Sequence, residues 1–145
     1  MESNVLIDLG AAINVMTKKT MDQFQLSHLR PTPIVLELAD RSKIKPEGVL
    51  DDVIISLNSW EYLADFIVLQ PKNPTGGHPL ILGRPWLATA DAYIGCPFGD
   101  MYILHGDSRK KVTLCPPAKS IQDLQDTLWL DQSSDEETQP ISIIH

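Results

Sequence analysis

One acid stands in the apolar run VLIDLGAAINVM, residues Val5 to Met16: Asp8, with Gly10 two positions on. A carboxylate in a strand-like hydrophobic run is costly unless it is paired or hydrogen-bonded, so Asp8 asks for a structural or a chemical reason. The structural reason is a turn, and for an Asp near a glycine taken alone that is the simpler reading. The chemical reason is acid–base work. A general base activates water, an acid protonates the departing group, and two carboxyls sharing one proton can do both. Close like charges cannot both ionise cheaply, so one apparent pKa rises and the pair keeps a single proton. This chain has one Asp-x-Gly loop behind a hydrophobic strand, and its 145 residues are too few for two such lobes. The second carboxylate would then come from a second copy, a two-fold homodimer with Asp8 and its mate at the axis. The N–H groups of Gly10 and Ala11 would hold the carboxylates, with glycine allowing close approach.

The elements that must position such a loop are read from periodicity. Val5 to Ile7 is a strand ending at Asp8-Leu9-Gly10, and Ala12 to Met16 resumes strand character. From Thr17 the pattern TKKTMDQFQL changes period, placing Met21 and Phe24 on one face of a short helix with Thr17 as N-cap. Pro31 and Pro33 end it and lead into a strand at Ile34 to Leu38. ADRSKIKPEG, residues 39–48, reads as the exposed arm of a β-hairpin whose return is Val49 to Leu57. Leu63 to Leu69 is a further strand, PKNPTGGHP at 71–79 a flexible loop, LILG at 80–83 a strand, and RPWLATA a turn or two of helix with Pro85 in its first turn. Asp91 to Ile94 and Met101 to Leu104 pair around GCPFGD, and Val112 to Leu114 is a short last strand. Many short strands and little helix predict a mainly β fold, a closed or partly open barrel with one or two short helices.

Composition bounds the partners. The net charge of −7 sits in the tail: residues 1–119 carry 12 bases against 13 acids, while residues 120–145 carry six acids and no base. The reading is therefore a domain over residues 1–118 and an acidic tail over 119–145, amphipathic in SIQDLQDTLWL and disordered in SSDEETQ. No basic stripe with interleaved aromatics is present, which argues against nucleic-acid binding, and Arg109-Lys110-Lys111 reads as a solvated hairpin. No apolar window reaches a membrane span and no secretory signal opens the chain, so a cytoplasmic protein without membrane contact is expected. Cys96 and Cys115 lack metal or disulfide spacing and read as small core residues. His28, His78, His105 and His145 show no ligand spacing, so neither a metal nor a cofactor is expected. Trp60 and Trp86 read as packing residues.

Four ordered segments carry a resemblance: Asp8-Leu9-Gly10-Ala11, Ile13-Asn14, Ala39-Asp40-Arg41-Ser42 and Ile81-Leu82-Gly83-Arg84-Pro85-Trp86-Leu87. Over residues 5–115 the chain resembles the retropepsin-like aspartic proteases, and more closely the protease domain of plant long-terminal-repeat retrotransposon polyproteins. The resemblance implies a homodimeric endopeptidase acting on a polyprotein, with Asp8 catalytic and Leu9, Gly10 and Ala11 forming the active-site loop. It implies a flap at Ala39, Asp40, Arg41 and Ser42, and a structural motif at Gly83 and Arg84. Arg84 would pair with a carboxylate near the dimer interface or else lie plainly on the surface. Val49, Ile81 and Leu82 are candidate pocket walls for a polypeptide substrate lying as an added strand. Asp40, Asp51 and Asp52 read first as turn or surface acids. In the best-known form of the loop a Thr or Ser follows the Asp and donates a hydrogen bond across the dimer axis. Leu9 cannot donate it, a loss of about 1 kcal/mol per subunit, although plant relatives carry the same leucine. Only Met1 to Asn4 precede the catalytic strand, where the family generally has another strand. The alternative is a non-catalytic dimerisation or protein-binding module on the same fold.

Overall fold

A computed structural model describes residues 5–38, 40–57, 59–71 and 79–114, together with the backbone of 141–144. The fold is mainly β, with eleven strands and two short helices among these residues. Its largest sheet has six strands: β1 (Val5–Ile7), β2 (Val15–Thr17), β5 (Gly48–Leu57), β6 (Trp60–Leu69), β7 (Leu80–Leu82) and β11 (Ile141–Ile144), in the order β1-β7-β2-β6-β5-β11. The remaining strands make a three-stranded sheet of β8 (Ala92–Gly95), β9 (Asp100–His105) and β10 (Ser108–Thr113), and a two-stranded sheet of β3 (Leu36–Glu37) and β4 (Lys43–Ile44). Among the described residues the strands thus form three separate sheets, and β1 and β11 stand at opposite edges of the largest one.

Alternation builds the centre of that sheet. Along β6, Tyr62, Ala64 and Phe66 are buried while Glu61, Leu63 and Asp65 face outward, a period of two that sets one face on the core. β5 pairs antiparallel with β6 from Gly48↔Val68 to Leu57↔Trp60, interrupted by a bulge between Leu50 and Val53. Asp52 occupies the bulge with φ +55°, and Asp65 Oδ1 accepts its backbone N–H at 2.9 Å. β7 lies between β1, to which it is parallel, and β2, to which it is antiparallel. Ile7, Met16, Ile55, Phe66, Leu82 and Trp86 are fully buried together beneath the sheet, with Met101 and Ile103 of β9 joining the same core.

Helix α1 (Lys18–Gln23) begins where its cap residue predicts, with the Thr17 side chain accepting the Thr20 N–H, and it buries Met21. It ends sooner than the prolines at 31 and 33. Gln25 takes φ +54°, a backbone conformation that stops a helix and that no residue type at this position announces. Helix α2 (Arg84–Thr89) starts at Gly83 with Pro85 in its first turn, and buries Trp86 and Leu87.

Several boundaries differ from expectation. The strand expected over Ile34 to Leu38 is only Leu36–Glu37; Ile34 and Val35 stay outside any ladder, 48% and 57% exposed. The hairpin arm returns through Lys43–Ile44, pairing Leu36↔Ile44 and Glu37↔Lys43, whereas residues 48–57 turn back on β6 instead. Polar residues 40–43 close a tight turn, so the return comes earlier than the long apolar run that follows. The strand expected at Val112 to Leu114 starts at Ser108, which places Arg109-Lys110-Lys111 inside β10. There Lys110 Nζ lies 4.2 Å from the Trp60 ring centroid, and the Arg109 guanidinium 5.1 Å from that of Tyr102. The cluster is therefore partly packed on aromatic faces. Cys96 is exposed, in the turn between β8 and β9, and is not a core residue; Cys115 lies outside the described residues. The flexible loop expected at 71–79 lies mostly outside them too, as do the amphipathic and disordered parts of the tail. Within the tail, Ile141–Ile144 pairs antiparallel with Ile54–Leu57 at the edge of β5.

Candidate active site

Asp8 is delivered by a strand that, among the described residues, is paired on one side. β1 runs parallel to β7 in the register Val5↔Leu80, Leu6↔Ile81, Ile7↔Leu82, and the Asp8 N–H continues that ladder to Leu82 O at 3.0 Å. The chain then turns sharply. Asp8 O accepts from the Ala11 N–H at 3.2 Å, and Asp8 Oδ1 accepts from the Gly10 N–H at 2.8 Å. One carboxylate oxygen is thereby oriented by its own loop, as in an Asx turn. A Cβ at Gly10 would lie 3.2 Å from that same oxygen, which is tighter than ordinary contact, so glycine suits the position by space. Asp8 itself is half-buried, while the following Leu9 is 50% exposed.

A second loop locks the first. Ala11 O accepts the Arg84 N–H at 3.0 Å, and at Gly83 an added Cβ would meet Ile13 O at 2.4 Å and Ala11 O at 2.7 Å. Only a residue without a side chain lets the two backbones approach this far. The buried Asn14 completes the lock: its Oδ1 accepts the Gly83 N–H at 2.9 Å, its Nδ2 donates to Asp65 O at 3.1 Å, and its own carbonyl accepts from Ile67 at 3.0 Å. Asn14 was visible in the sequence only as part of a motif, with no role attached. The signal that finds it is a polar side chain in the apolar run AINVM, which must be satisfied once buried.

Arg84 lies at the surface beside Leu9. Together with Leu87, Ala88, Asp91 and Tyr93, these two residues line a cavity of about 340 Å³. A second cavity, of about 370 Å³, is lined by Val49, Asn14, Asp52, Leu63, Asp65 and Phe66 among others. Of the three candidate pocket walls, Val49 lines this second cavity; Leu82 is fully buried in the core, and Ile81 is half-buried in β7. Neither of these two cavities includes Ile81 or Leu82.

Asp40, Arg41 and Ser42, three of the four residues expected to form a flap, lie at the tip of the β3–β4 hairpin. Leu38 donates to Ser42 O at 2.9 Å, and Arg41 donates to Leu38 O at 2.8 Å while holding φ +67°. Asp40 Oδ1 accepts both the Ser42 N–H at 2.9 Å and the Ser42 hydroxyl at 2.5 Å. These bonds hold the Asp40 carboxyl below its ordinary range, the hydroxyl contributing most. Asp40 thus closes a turn, in keeping with its simpler reading; Ala39 lies outside the described residues. Asp51 is engaged elsewhere: Arg30 Nε and Nη2 donate to its two oxygens at 2.8 and 3.0 Å, and this guanidinium lowers its carboxyl pKa. Among the described residues, no group of three or more His, Cys, Asp or Glu side chains is placed to hold a metal ion. No helix among them is long and apolar enough to cross a membrane.

Compared with models of known protein families and with curated proteins, the chain matches none.

Proposed function

We propose that the chain is a retropepsin-like aspartic endopeptidase of the plant long-terminal-repeat retrotransposon kind, a homodimer that cuts extended polypeptide at polyprotein junctions. The observation that carries this reading is the placement of Asp8: a half-buried carboxylate at the end of a strand, oriented by the Gly10 N–H at 2.8 Å, on a loop braced against Gly83. One chain supplies one such carboxylate, and a second copy supplies its mate. In the dimer the two acids share a proton. The ionised Asp8 takes a proton from water as it attacks the peptide carbonyl, and its protonated mate donates to the departing nitrogen. The substrate lies as an added strand between this pair and the hairpin of β3 and β4.

The exposure of Leu9 favours a second reading, a dimerisation or protein-binding module in which the carboxylate pair does not form. Leu9, 50% exposed, offers an apolar side chain where the best-known form of the loop places a Thr or Ser donor. Cleavage of a fused substrate carrying the chain's own flanking sequences, near pH 5, separates the two. The protease reading expects the parent to cut, Asp8→Asn to lose activity at least ~10³-fold, and a statine-type transition-state analogue to block the reaction. A folded parent that does not cut leaves the binding module.

A further inference from the structure

Of the two edges of β5, one pairs with β6 on both sides of the bulge at Asp51 and Asp52. The other is covered piecemeal. Near its start, Val49 exchanges backbone hydrogen bonds with Arg30, each 2.8 Å, and the Arg30 side chain reaches along the edge to grip Asp51. Asp51 and Asp52, which bulge out of the β5–β6 pairing, separate this contact from the rest of the edge. Beyond the bulge the edge is regular again, and there Ile141–Ile144 pairs with it: Ile141↔Leu57, Ser142↔Ser56, Ile143↔Ile55 and Ile144↔Ile54.

Two features make this pairing a recognition event. First, 26 residues separate Leu114 from Ile141, and such a tether can reach about 90 Å when extended. A domain of this size is roughly 35–40 Å across, so the tether does not dictate where the segment lands. Second, the quartet Ile-Ser-Ile-Ile is three-quarters β-branched and directly follows the polar, acidic SSDEETQP. Its composition suits an extended strand, and Pro140 before it has no N–H to extend the ladder upstream.

We propose that the β5 edge at Ile54–Leu57 is a strand-acceptor site whose ligand is the chain's own C-terminal segment, held as a separable peptide. Main-chain hydrogen bonds supply the binding, as in β-strand addition to an open edge. The resident segment also caps an edge that would otherwise template pairing with other chains. When the resident is disabled, the same segment supplied from outside takes its place.

The test uses the full chain carrying Ser142→Pro and Ile143→Pro together. Adjacent residues of a strand turn their N–H groups to opposite sides, so the pair removes whichever one faces β5. The probe is a fluorescein-labelled heptapeptide of residues 139–145, followed by anisotropy up to millimolar concentration. The variant is expected to bind it saturably and at least tenfold more tightly than the unaltered chain, and a peptide carrying the same two prolines is expected to lose that binding. Equal binding by both chains, or none by a variant with unchanged far-ultraviolet circular dichroism, overturns the proposal. If the variant fails to fold, amide hydrogen exchange on the unaltered chain decides. Protection of 54–57 and 141–144 that is lost together supports the site; free-peptide exchange rates at 141–144 beside protected 54–57 overturn it.

Discussion

Asn14 and Gly83, 69 residues apart in sequence, meet through a single buried hydrogen bond: the asparagine Oδ1 accepts the glycine N–H at 2.9 Å. Through it the loop that presents Asp8 and the loop that starts α2 become one unit. The same side chain donates to Asp65 O, so β6 is tied to both.

Replacing Asn14 by Ala leaves the buried Gly83 N–H and the part-buried Asp65 carbonyl without that partner. A cost of about 2–4 kcal/mol follows from two unmade bonds. Denaturant unfolding at neutral pH measures it, and a loss below about 0.5 kcal/mol, the range of ordinary surface changes, would sink the bridging role.

The two glycines of the site differ in how much room they have. Gly83→Ala drives a methyl to 2.4 Å from Ile13 O and 2.7 Å from Ala11 O, both backbone atoms, whereas Gly10→Ala meets the Asp8 carboxylate at 3.2 Å. Backbone cannot swing aside as a side chain can. The expected order is a loss of about 3 kcal/mol or more at Gly83 and under about 1 kcal/mol at Gly10, read from the same denaturation curves. Equal costs would show that the close approach of the two loops does not hold in solution.

The Asp40 carboxyl should titrate below an ordinary aspartate in an NMR pH series, and Ser42→Ala should bring it most of the way back, since the Ser42 hydroxyl is the largest cause of the shift. Because the folded-state pKa is depressed, the turn gains from ionised Asp40 above the unfolded-state pKa. That gain is lost as the pH falls through the folded-state value. An Asp40 titration unchanged by Ser42→Ala would remove the hydroxyl from the account.

Local pattern made part of this legible. The Thr17 cap, the shared face of Met21 and Phe24, the Pro85 start of α2 and the hairpin from Ala92 to His105 each rest on neighbours within a few residues, where propensity and period act directly. The end of α1 was hidden, because a left-handed Gln25 carries no sequence mark. So was the partner of β5. Alternation in a strand tells which face is buried and says nothing about which strand lies alongside; that depends on how the polar turn at 40–43 closes and on the bulge at Asp51 and Asp52.

For the site the division is sharper. The sequence by itself determined that these 145 residues hold one Asp-x-Gly loop behind a hydrophobic strand, because counting residues suffices for that. It offered a turn or a surface place for Asp40, and the bonds to Ser42 that hold that carboxylate span only two residues. Only the tertiary structure decided that Gly83 sits against Ala11 and Ile13, that Asn14 bridges them to β6, that Leu82 is core, and that the C-terminal strand closes the far edge of the sheet. Each of those contacts joins segments more than fifty residues apart, and burial, which makes them energetically decisive, exists only after the chain has closed those distances.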